Sequence, residues 1–417
     1  MSQETTGLTV GIPREAAPNE RRVAVVPATV PALKKLGLKV IIESGAGAES
    51  GFPDDAYRDK QALVDTRDQV FQQADIILQV HYLGAAGERG QDDLQRLRSG
   101  QVVIGSCDPL TFPEPIRNMA DQGAIGFSLE LVPRITRAQS MDVLSSMATI
   151  AGYRAVLLAA TAAPRMFPLL MTAAGTLKPA KVLVIGAGVA GLQAIATSKR
   201  LGAVVSGYDI RPAVKEQVES LGGRFVELDV SAGDTETKGG YAKEMDDDFY
   251  RRQQEAMKKV VADCDVVITT AAIPGRKAPV LVTEDMVSAM APGSVIVDLA
   301  AERGGNCEVT VRGETVDHDG VKVLGPENLP SDIPVHASEM LSRNVLTFLQ
   351  GMVKDGQLDI DLSDEVIKET LLTRNGQIEN SRVRELLDLP TLASAEEDGT
   401  AQASTAVHGT TDDSSSD

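Results

Sequence analysis

Three glycines in a fixed spacing between an apolar strand and a helix leave this chain few alternative folds. Residues 181–211 read KVLVIGAGVAGLQAIATSKRLGAVVSGYDIR, which is a strand, the turn Gly186-x-Gly188-x-x-Gly191, a helix, a second strand and Asp209. Glycine permits a tight turn at the first position, close approach of the backbone to a ligand at the second, and close helix–strand packing at the third. The pattern predicts a strand–helix–strand unit whose helix begins at an anion-binding turn.

The acidic residue that ends the second strand indicates which ligand the turn binds. At this position the Asp209 carboxylate accepts hydrogen bonds from an adenosine ribose and repels a 2′-phosphate. We therefore predict NAD(H) as the cofactor. Arg211, two residues later, leaves NADP(H) open, because arginine accommodates that phosphate. The motif does not identify a reaction, since many chemistries share this fold.

Strand-like apolar runs alternate with helix-forming segments along most of the chain. The first set lies at 8–13, 39–43, 76–80, 102–105 and 124–128, and the second at 182–185, 204–208, 265–270, 294–299 and 321–324. This alternation predicts an α/β fold with two doubly wound, Rossmann-like domains that have mainly parallel sheets and are joined by long helices. We predict those helices over 141–170, broken near Pro164, and over 331–353.

The second long helix is expected to lead the chain back to the first domain. The predicted domains are residues 1–140 with 335–392, and residues 141–334 with the NAD(H) site. Residues 393–417 are acidic and too polar to offset the entropy of ordering, so we predict a disordered tail.

Charge and composition exclude several classes of function. The chain has 41 Lys and Arg against 59 Asp and Glu, and its formal net charge of −18 repels nucleic acid. That balance is typical of a protein from a high-salt host or of an ordinary acidic cytoplasmic protein. The three cysteines and four histidines lack metal-ligand spacing, so no metal site is predicted. The most apolar span, 150–175, is interrupted by Arg154, Pro164, Arg165 and Pro168, and we expect no membrane insertion.

Residues 11–57, GIPREAAPNERRVAVVPATVPALKKLGLKVIIESGAGAESGFPDDAY, carry a family resemblance. They resemble the N-terminal signature shared by alanine dehydrogenases and the NAD(H)-binding domain of proton-translocating NAD(P) transhydrogenases. The resemblance continues through TTAAIPGRKAPVLVTEDMV (269–287) and PGSVIVDLAAERGGNCE (292–308).

A loop at 133–153, PRITRAQSMDVLSSMATIAGY, is similar to the transhydrogenase signature loop, which alanine dehydrogenases lack. The resemblance implies that Arg134, Gln139 and Asp142 position the nicotinamide and form the catalytic group. From the residues alone, charges at a helix N-terminus are the competing interpretation. Cofactor-binding residues implied by the resemblance and the glycine motif are Arg134, Ile135, Thr136, Gln139, Ser140, Met141, Asp142, Ser145, Gly186, Gly188, Val189, Gly191, Asp209, Ile210, Arg211, Gly240, Tyr241, Gln253 and Ala272.

Two further segments bear on the choice between the sister families. Where alanine dehydrogenases use a lysine and a histidine on the keto acid, this chain has His81 and Asp108, although Arg22 matches a substrate-binding arginine. Residues 231–252, SAGDTETKGGYAKEMDDDFYRR, resemble the mobile loop that closes over the nucleotide in transhydrogenases, whereas composition alone favours a solvated surface loop.

The resemblance implies a homodimeric NAD(H)-binding subunit of a proton-translocating transhydrogenase. Hydride passes from NADH to NADP⁺, which is held by an NADP(H)-binding partner domain, and a membrane-spanning partner couples transfer to protons. The chain is expected to be cytoplasmic and peripheral on the inner face of the cell membrane through those partners. An alanine dehydrogenase-like amino-acid dehydrogenase and a noncatalytic NAD-sensing module are the alternatives.

Overall fold

Two mostly parallel sheets organise the computed structural model, which describes residues 7–228, 245–272 and 275–392. Within these residues the strands are β1 (Thr9–Ile12), β2 (Lys39–Glu43), β3 (Leu63–Asp65), β4 (Ile76–His81), β5 (Val102–Ser106), β6 (Ile125–Ser128), β7 (Leu170–Thr172), β8 (Gly175–Leu177), β9 (Lys181–Ile185), β10 (Val204–Tyr208), β11 (Arg224–Phe225), β12 (Val266–Thr269), β13 (Val295–Asp298), β14 (Thr315–His318), β15 (Val321–Leu324), β16 (Val353–Lys354), β17 (Gln357–Leu358), β18 (Leu371–Arg374) and β19 (Gln377–Ile378).

The α-helices of the same residues cover the faces of the sheets and connect them. They are α1 (Val30–Lys35), α2 (Asp54–Arg58), α3 (Arg67–Gln73), α4 (Glu88–Leu94), α5 (Glu114–Asp121), α6 (Val143–Ala162), α7 (Val189–Arg200), α8 (Lys215–Ser220), α9 (Asp247–Ala262), α10 (Glu284–Ser288), α11 (Pro334–Met352), α12 (Glu365–Thr370) and α13 (Ser381–Leu386).

The first sheet has the order β19-β18-β6-β5-β4-β1-β2-β3 and the second β11-β10-β9-β12-β13-β15-β14. Pairing is parallel from β6 to β3 and from β11 to β15. Strands β18, β19 and β14 are antiparallel additions at the edges. Apolar clusters fill both faces of each sheet, as expected for buried parallel strands. The fold predicted from the sequence is confirmed.

Both long helices are shorter than the sequence pattern predicts. Helix α6 ends at Ala162, because Ala163 is already extended ahead of Pro164, where proline disfavours the helical region for the residue before it. Helix α11 begins at Pro334, and a short 3₁₀ turn, Leu329–Asp332, precedes it. Proline suits the first helical turn because it has no N–H to leave unpaired.

Helix α6 links the two sheets and packs tightly against α7. A Cβ at Gly152 would lie 2.1 Å from the carbonyl oxygen of Ala190, so only glycine allows this close crossing. Of the described helices, α6 alone is long and apolar enough to cross a membrane by length and composition, and one third of its most apolar stretch is buried. The crossing sets the middle of α6 against the start of α7, directly after the glycine turn.

Candidate functional site

The turn between β9 and α7 is held in shape by contacts that only glycine tolerates. Gly186 has φ +95°, and a Cβ at Gly191 would lie 1.8 Å from its carbonyl oxygen. The Thr270 hydroxyl donates to that same carbonyl at 2.9 Å and fixes the turn against the end of β12. A Cβ at Gly188, in contrast, would meet no heavy atom within 4 Å. The N-terminus of α7, which has no side-chain cap, therefore faces open space.

That open space is a cavity of about 760 Å³ between the two sheets. Ligand pockets are typically of this size. Its wall on the side of the second sheet includes Gly186, Gly188, Val189, Tyr208, Asp209, Ile210, Arg211, Gln253 and Ala272, and its wall on the side of the first sheet includes Asp108, Leu110, Glu130, Arg134, Leu144 and Ser145. The carboxyl ends of the strands of both sheets border it, as expected for a ligand site in open α/β sheets.

Asp209 and Arg211 form an ion pair at the end of β10. The Asp209 carboxylate accepts hydrogen bonds from the Ala187 amide at 2.7 Å and from the Arg211 amide at 2.9 Å. It also accepts from Nε and Nη2 of Arg211, both at 2.9 Å. Both side chains are largely buried at the cavity wall, and there the guanidinium folds back onto the carboxylate.

The segment around residues 133–145 forms the opposite wall. A 3₁₀ turn, Thr136–Met141, leads into α6, and Asp142 caps that helix by accepting from the Ser145 amide at 2.8 Å and the Ser145 hydroxyl at 2.6 Å. Arg134, Ile135, Gln139, Asp142 and Ser145 line an adjoining cavity of about 360 Å³ that shares Arg134 and Ser145 with the larger one. Thr136, Ser140 and Met141 line neither cavity.

A buried polar pair sits at the far side of the larger cavity. Gln253 on α9 is 2% exposed and donates from Nε2 to the Tyr208 hydroxyl at 2.7 Å. Its Oε1 atom is buried with no hydrogen-bond partner among the described residues. Burial raises the pKa of Tyr208 to about 12. The pair thus offers the cavity an unused acceptor.

Comparison with known proteins decides the family. The family models described as "Alanine dehydrogenase/PNT, N-terminal domain" and "Alanine dehydrogenase/PNT, C-terminal domain" match residues 11–151 and 155–381. An NAD(P) transhydrogenase subunit alpha chain of Rhodospirillum rubrum is 48% identical over 373 residues, which span 88% of this chain and 97% of that protein. The chain belongs to the NAD(P) transhydrogenase alpha-subunit family.

A solved structure and the sister family agree with this placement. The crystal structure of transhydrogenase from Sinorhizobium meliloti aligns with a TM-score of 0.78 at 44% identity and covers 89% of this chain and 99% of that one. Alanine dehydrogenase from Mycolicibacterium smegmatis is the more distant relative, at 30% identity over 91% of this chain and 97% of that protein. The resemblance inferred from the sequence is confirmed, and the chain is a member of an NAD-binding oxidoreductase family.

The residues that match the alanine dehydrogenase substrate site are engaged with one another. Arg22 donates from Nε at 2.8 Å and Nη2 at 2.6 Å to Glu20, and from Nη2 at 3.2 Å to Asn328. His81 Nδ1 lies 3.4 Å from Glu20. Burial lowers the pKa of His81 to about 4, so this imidazole is neutral at physiological pH. Neither Arg22 nor His81 lines the large cavity.

Asp108, the other residue at a matching position, bridges the two sides of the cleft. Its carboxylate lies 2.9 Å from Nη2 of Arg303, which follows β13 of the second sheet. Its amide donates to Glu130, and burial raises the pKa of Glu130. Asp108 and Glu130 both line the large cavity and were not among the predicted site residues. The signal that points to them is their position after strands β5 and β6, at the carboxyl edge of the sheet.

Two predicted cofactor-binding residues, Gly240 and Tyr241, lie outside the described residues, as does the predicted tail. Of the other predicted residues, Gly191, Thr136, Ser140 and Met141 line neither cavity. The rest border the cleft, either from the 133–145 segment or from the second sheet and its helices.

Proposed function

We propose that this chain is the NAD(H)-binding subunit of a proton-translocating, Re/Si-specific transhydrogenase. It passes hydride from NADH to NADP⁺ held by a partner domain and is active only with its partner subunits. The observation that carries this proposal is the shared cleft, which has the glycine turn and Asp209 on one wall and Arg134 on the other.

The residues present fit a bound NAD(H). Open space at Gly188 admits a pyrophosphate against the uncapped N-terminus of α7, where the helix dipole favours negative charge. The unpartnered Oε1 of buried Gln253 accepts an N–H from the nucleotide on the Tyr208 side. Asp209 accepts from the adenosine ribose at the end of β10. Together they support NAD(H) as the cofactor.

When bound, NAD(H) supplies a hydride, and the chain supplies position. Arg134 and Gln139, both in the smaller cavity, are the donors that orient the nicotinamide end, while Asp142 fixes the start of α6. Transfer between two nicotinamide rings moves one hydride and no proton, so no general acid is required. This agrees with a histidine held neutral at position 81 and an aspartate engaged by Arg303 at position 108.

The partners follow from the same proposal. NADP(H) is held by a partner domain, and a membrane-spanning subunit holds this chain on the cytoplasmic face without insertion of its own. A homodimer is supported by exposed apolar side chains on and beside the β7–β8 hairpin, namely Met166, Leu169, Met171 and Leu177. We also propose that residues 1–140 with 335–392 and residues 141–334 are the two domains, because β18 and β19 join the first sheet.

The test is hydride transfer from NADH to an NADP⁺ analogue, followed by absorbance with the purified chain and the NADP(H)-binding domain of a related transhydrogenase. Transfer that requires the added domain supports the proposal. A parallel reaction with pyruvate and ammonium is the control, and NADH oxidation driven by pyruvate alone would replace the proposal with an amino-acid dehydrogenase. Nucleotide binding without either reaction would support a sensing module instead.

A further inference from the structure

The 3₁₀ turn Thr136–Met141 is held by a hydrogen bond from one side-chain amide on helix α11. Nδ2 of Asn344 donates to the carbonyl oxygen of Ser140 at 2.8 Å, across 204 residues of sequence. Asn344 is only 6% exposed, and its Oδ1 has no hydrogen-bond partner among the described residues. A buried amide is therefore held in place by a single bond to the turn.

A second attachment reaches the turn from the solvent side. Arg137 makes two hydrogen bonds to the Asp364 carboxylate, Nη1 at 3.1 Å and Nη2 at 2.7 Å. Asp364 also caps α12 by accepting from the Val366 amide at 2.7 Å. The arginine is half exposed, so this bond is accessible to substitution without disturbing the core.

The asparagine at position 344 is expected to destabilise the folded state, compared with an apolar residue. Its neighbours on the same face of α11, Leu341, Val345 and Phe348, are all buried in the core of the first sheet. Burial of an amide with one group unsatisfied destabilises a fold, and an apolar residue of the same shape would avoid that cost. Fixing the Ser140 carbonyl is what the amide achieves there.

We propose that Asn344 is a positioning residue for hydride transfer. By fixing the position of the Ser140 carbonyl, it orients the side chains of Gln139, one residue before, and Asp142, two residues after. The inference rests on the proposed function, since it gives that function a positioning residue outside the cleft. Asn344 lines neither cavity and acts only through the turn. Orientation of reacting groups changes rate more than affinity, because small displacements weaken alignment while most binding contacts persist.

The test replaces Asn344 with leucine, which has a similar shape and no polar atoms. We expect the single-turnover rate of hydride transfer to fall on the order of tenfold, while the Kd for NADH changes less than about threefold. The melting temperature should change little, because the unsatisfied Oδ1 is removed while the carbonyl of the exposed residue Ser140 exchanges its bond to Asn344 for one to water. A residue with only a structural role would not slow transfer in a protein of undiminished stability.

Ser342→Ala is the matched control on the same helix. The Ser342 hydroxyl donates to Thr29 at 2.8 Å and accepts from the Val26 amide at 3.1 Å, so it is buried and bonded but does not touch the turn. This variant should lower the melting temperature and leave the transfer rate within twofold of the wild type. Arg137→Gln loosens the turn from its exposed side and should slow transfer as Asn344→Leu does.

Equal transfer rates in Asn344→Leu, Arg137→Gln and the wild type would overturn the positioning role and leave the proposed function standing. A wild type that transfers no hydride would overturn the proposed function. The fluorescence emission of bound NADH would then test the positioning role of Asn344 by itself. If Asn344 positions the turn, the emission of bound NADH should change in Asn344→Leu at equal occupancy of the site. It should stay unchanged in Ser342→Ala. Identical emission in all three proteins would refute that role.

Discussion

At the end of β10, two residues are expected to decide the preference between the two dinucleotides. The Asp209 carboxylate faces the expected ribose and also holds the Arg211 guanidinium folded back at 2.9 Å. The sequence left the role of Arg211 open, because spacing alone does not show whether an arginine is already engaged by its neighbour. The structure shows both groups in one ion pair, so the arginine is engaged by the same carboxylate that we propose for the ribose.

We predict that Asp209→Asn shifts the ratio of the NADPH and NADH dissociation constants by about tenfold in favour of NADPH. The substitution removes the charge that repels a 2′-phosphate and releases Arg211 to bind it. Fluorescence titration with each nucleotide measures both constants. Asp209→Asn/Arg211→Gln is the control, and it should lose the gain for NADPH. Equal NADPH affinity in the single and double variants would contradict this role for Arg211.

Glu15 gives the chain a pH dependence that can be measured without any nucleotide. Burial and the nearby Glu20 charge raise the pKa of Glu15 from 4.5 to about 8, although its carboxylate accepts from the Val80 and His81 amides at 2.7 and 3.0 Å. A raised pKa in the folded state means that the folded protein holds this proton more tightly than the unfolded chain. The resulting stability is complete below pH 4.5 and is lost as pH rises toward 8.

We therefore expect Glu15→Gln to flatten the fall in melting temperature between pH 5 and pH 8, because glutamine cannot ionise. Thermal melts of the two proteins across that range measure the difference. Glu49→Gln, at a half-exposed surface glutamate paired with Arg14, is the control and should follow the wild-type curve. Parallel curves for Glu15→Gln and the wild type would show that Glu15 titrates normally.

Among the secondary-structure elements, the sequence predicted those that are marked by a local run of apolar residues. The runs at 39–43, 204–208 and 321–324 are strands with those bounds, because each carries the β-branched residues that favour an extended backbone. The pattern missed β18 and β19, since short antiparallel strands at the edge of a sheet carry no comparable signal. Asn344 was missed for a related reason, because a polar residue in an amphipathic helix does not reveal which distant carbonyl it meets.

The β7–β8 hairpin is the element that offers a test of assembly. Met171 is 77% exposed there, which leaves a large apolar side chain in water unless a second copy covers it. We predict that Met171→Glu converts the proposed homodimer to a monomer in size-exclusion chromatography with light scattering. Leu63→Glu is the control at an exposed leucine of β3, and it should remain dimeric. A dimeric Met171→Glu variant would place the interface elsewhere.

At the scale of the whole molecule, the cleft between the two sheets joins features far apart in sequence. The glycine turn, the 133–145 segment and the Asp108–Arg303 pair at 2.9 Å all border it. Spacing predicted the turn, and family resemblance predicted the segment opposite it. The ion pair was not predicted, because Asp108 and Arg303 lie on different sheets and neither position shows which residue faces it.

We propose that this cleft holds NADH for direct hydride transfer to a second nucleotide on a partner. The measurement that tests it most directly starts from NADH deuterated at the transferring C4 position, with NADP⁺, the purified chain and the NADP(H)-binding domain of a related transhydrogenase. Mass spectrometry of the NADPH formed follows the label. We expect full retention of deuterium in the NADPH, and no NADPH when the added domain is omitted. Loss of the label to water, or NADPH formed by the chain alone, would contradict it.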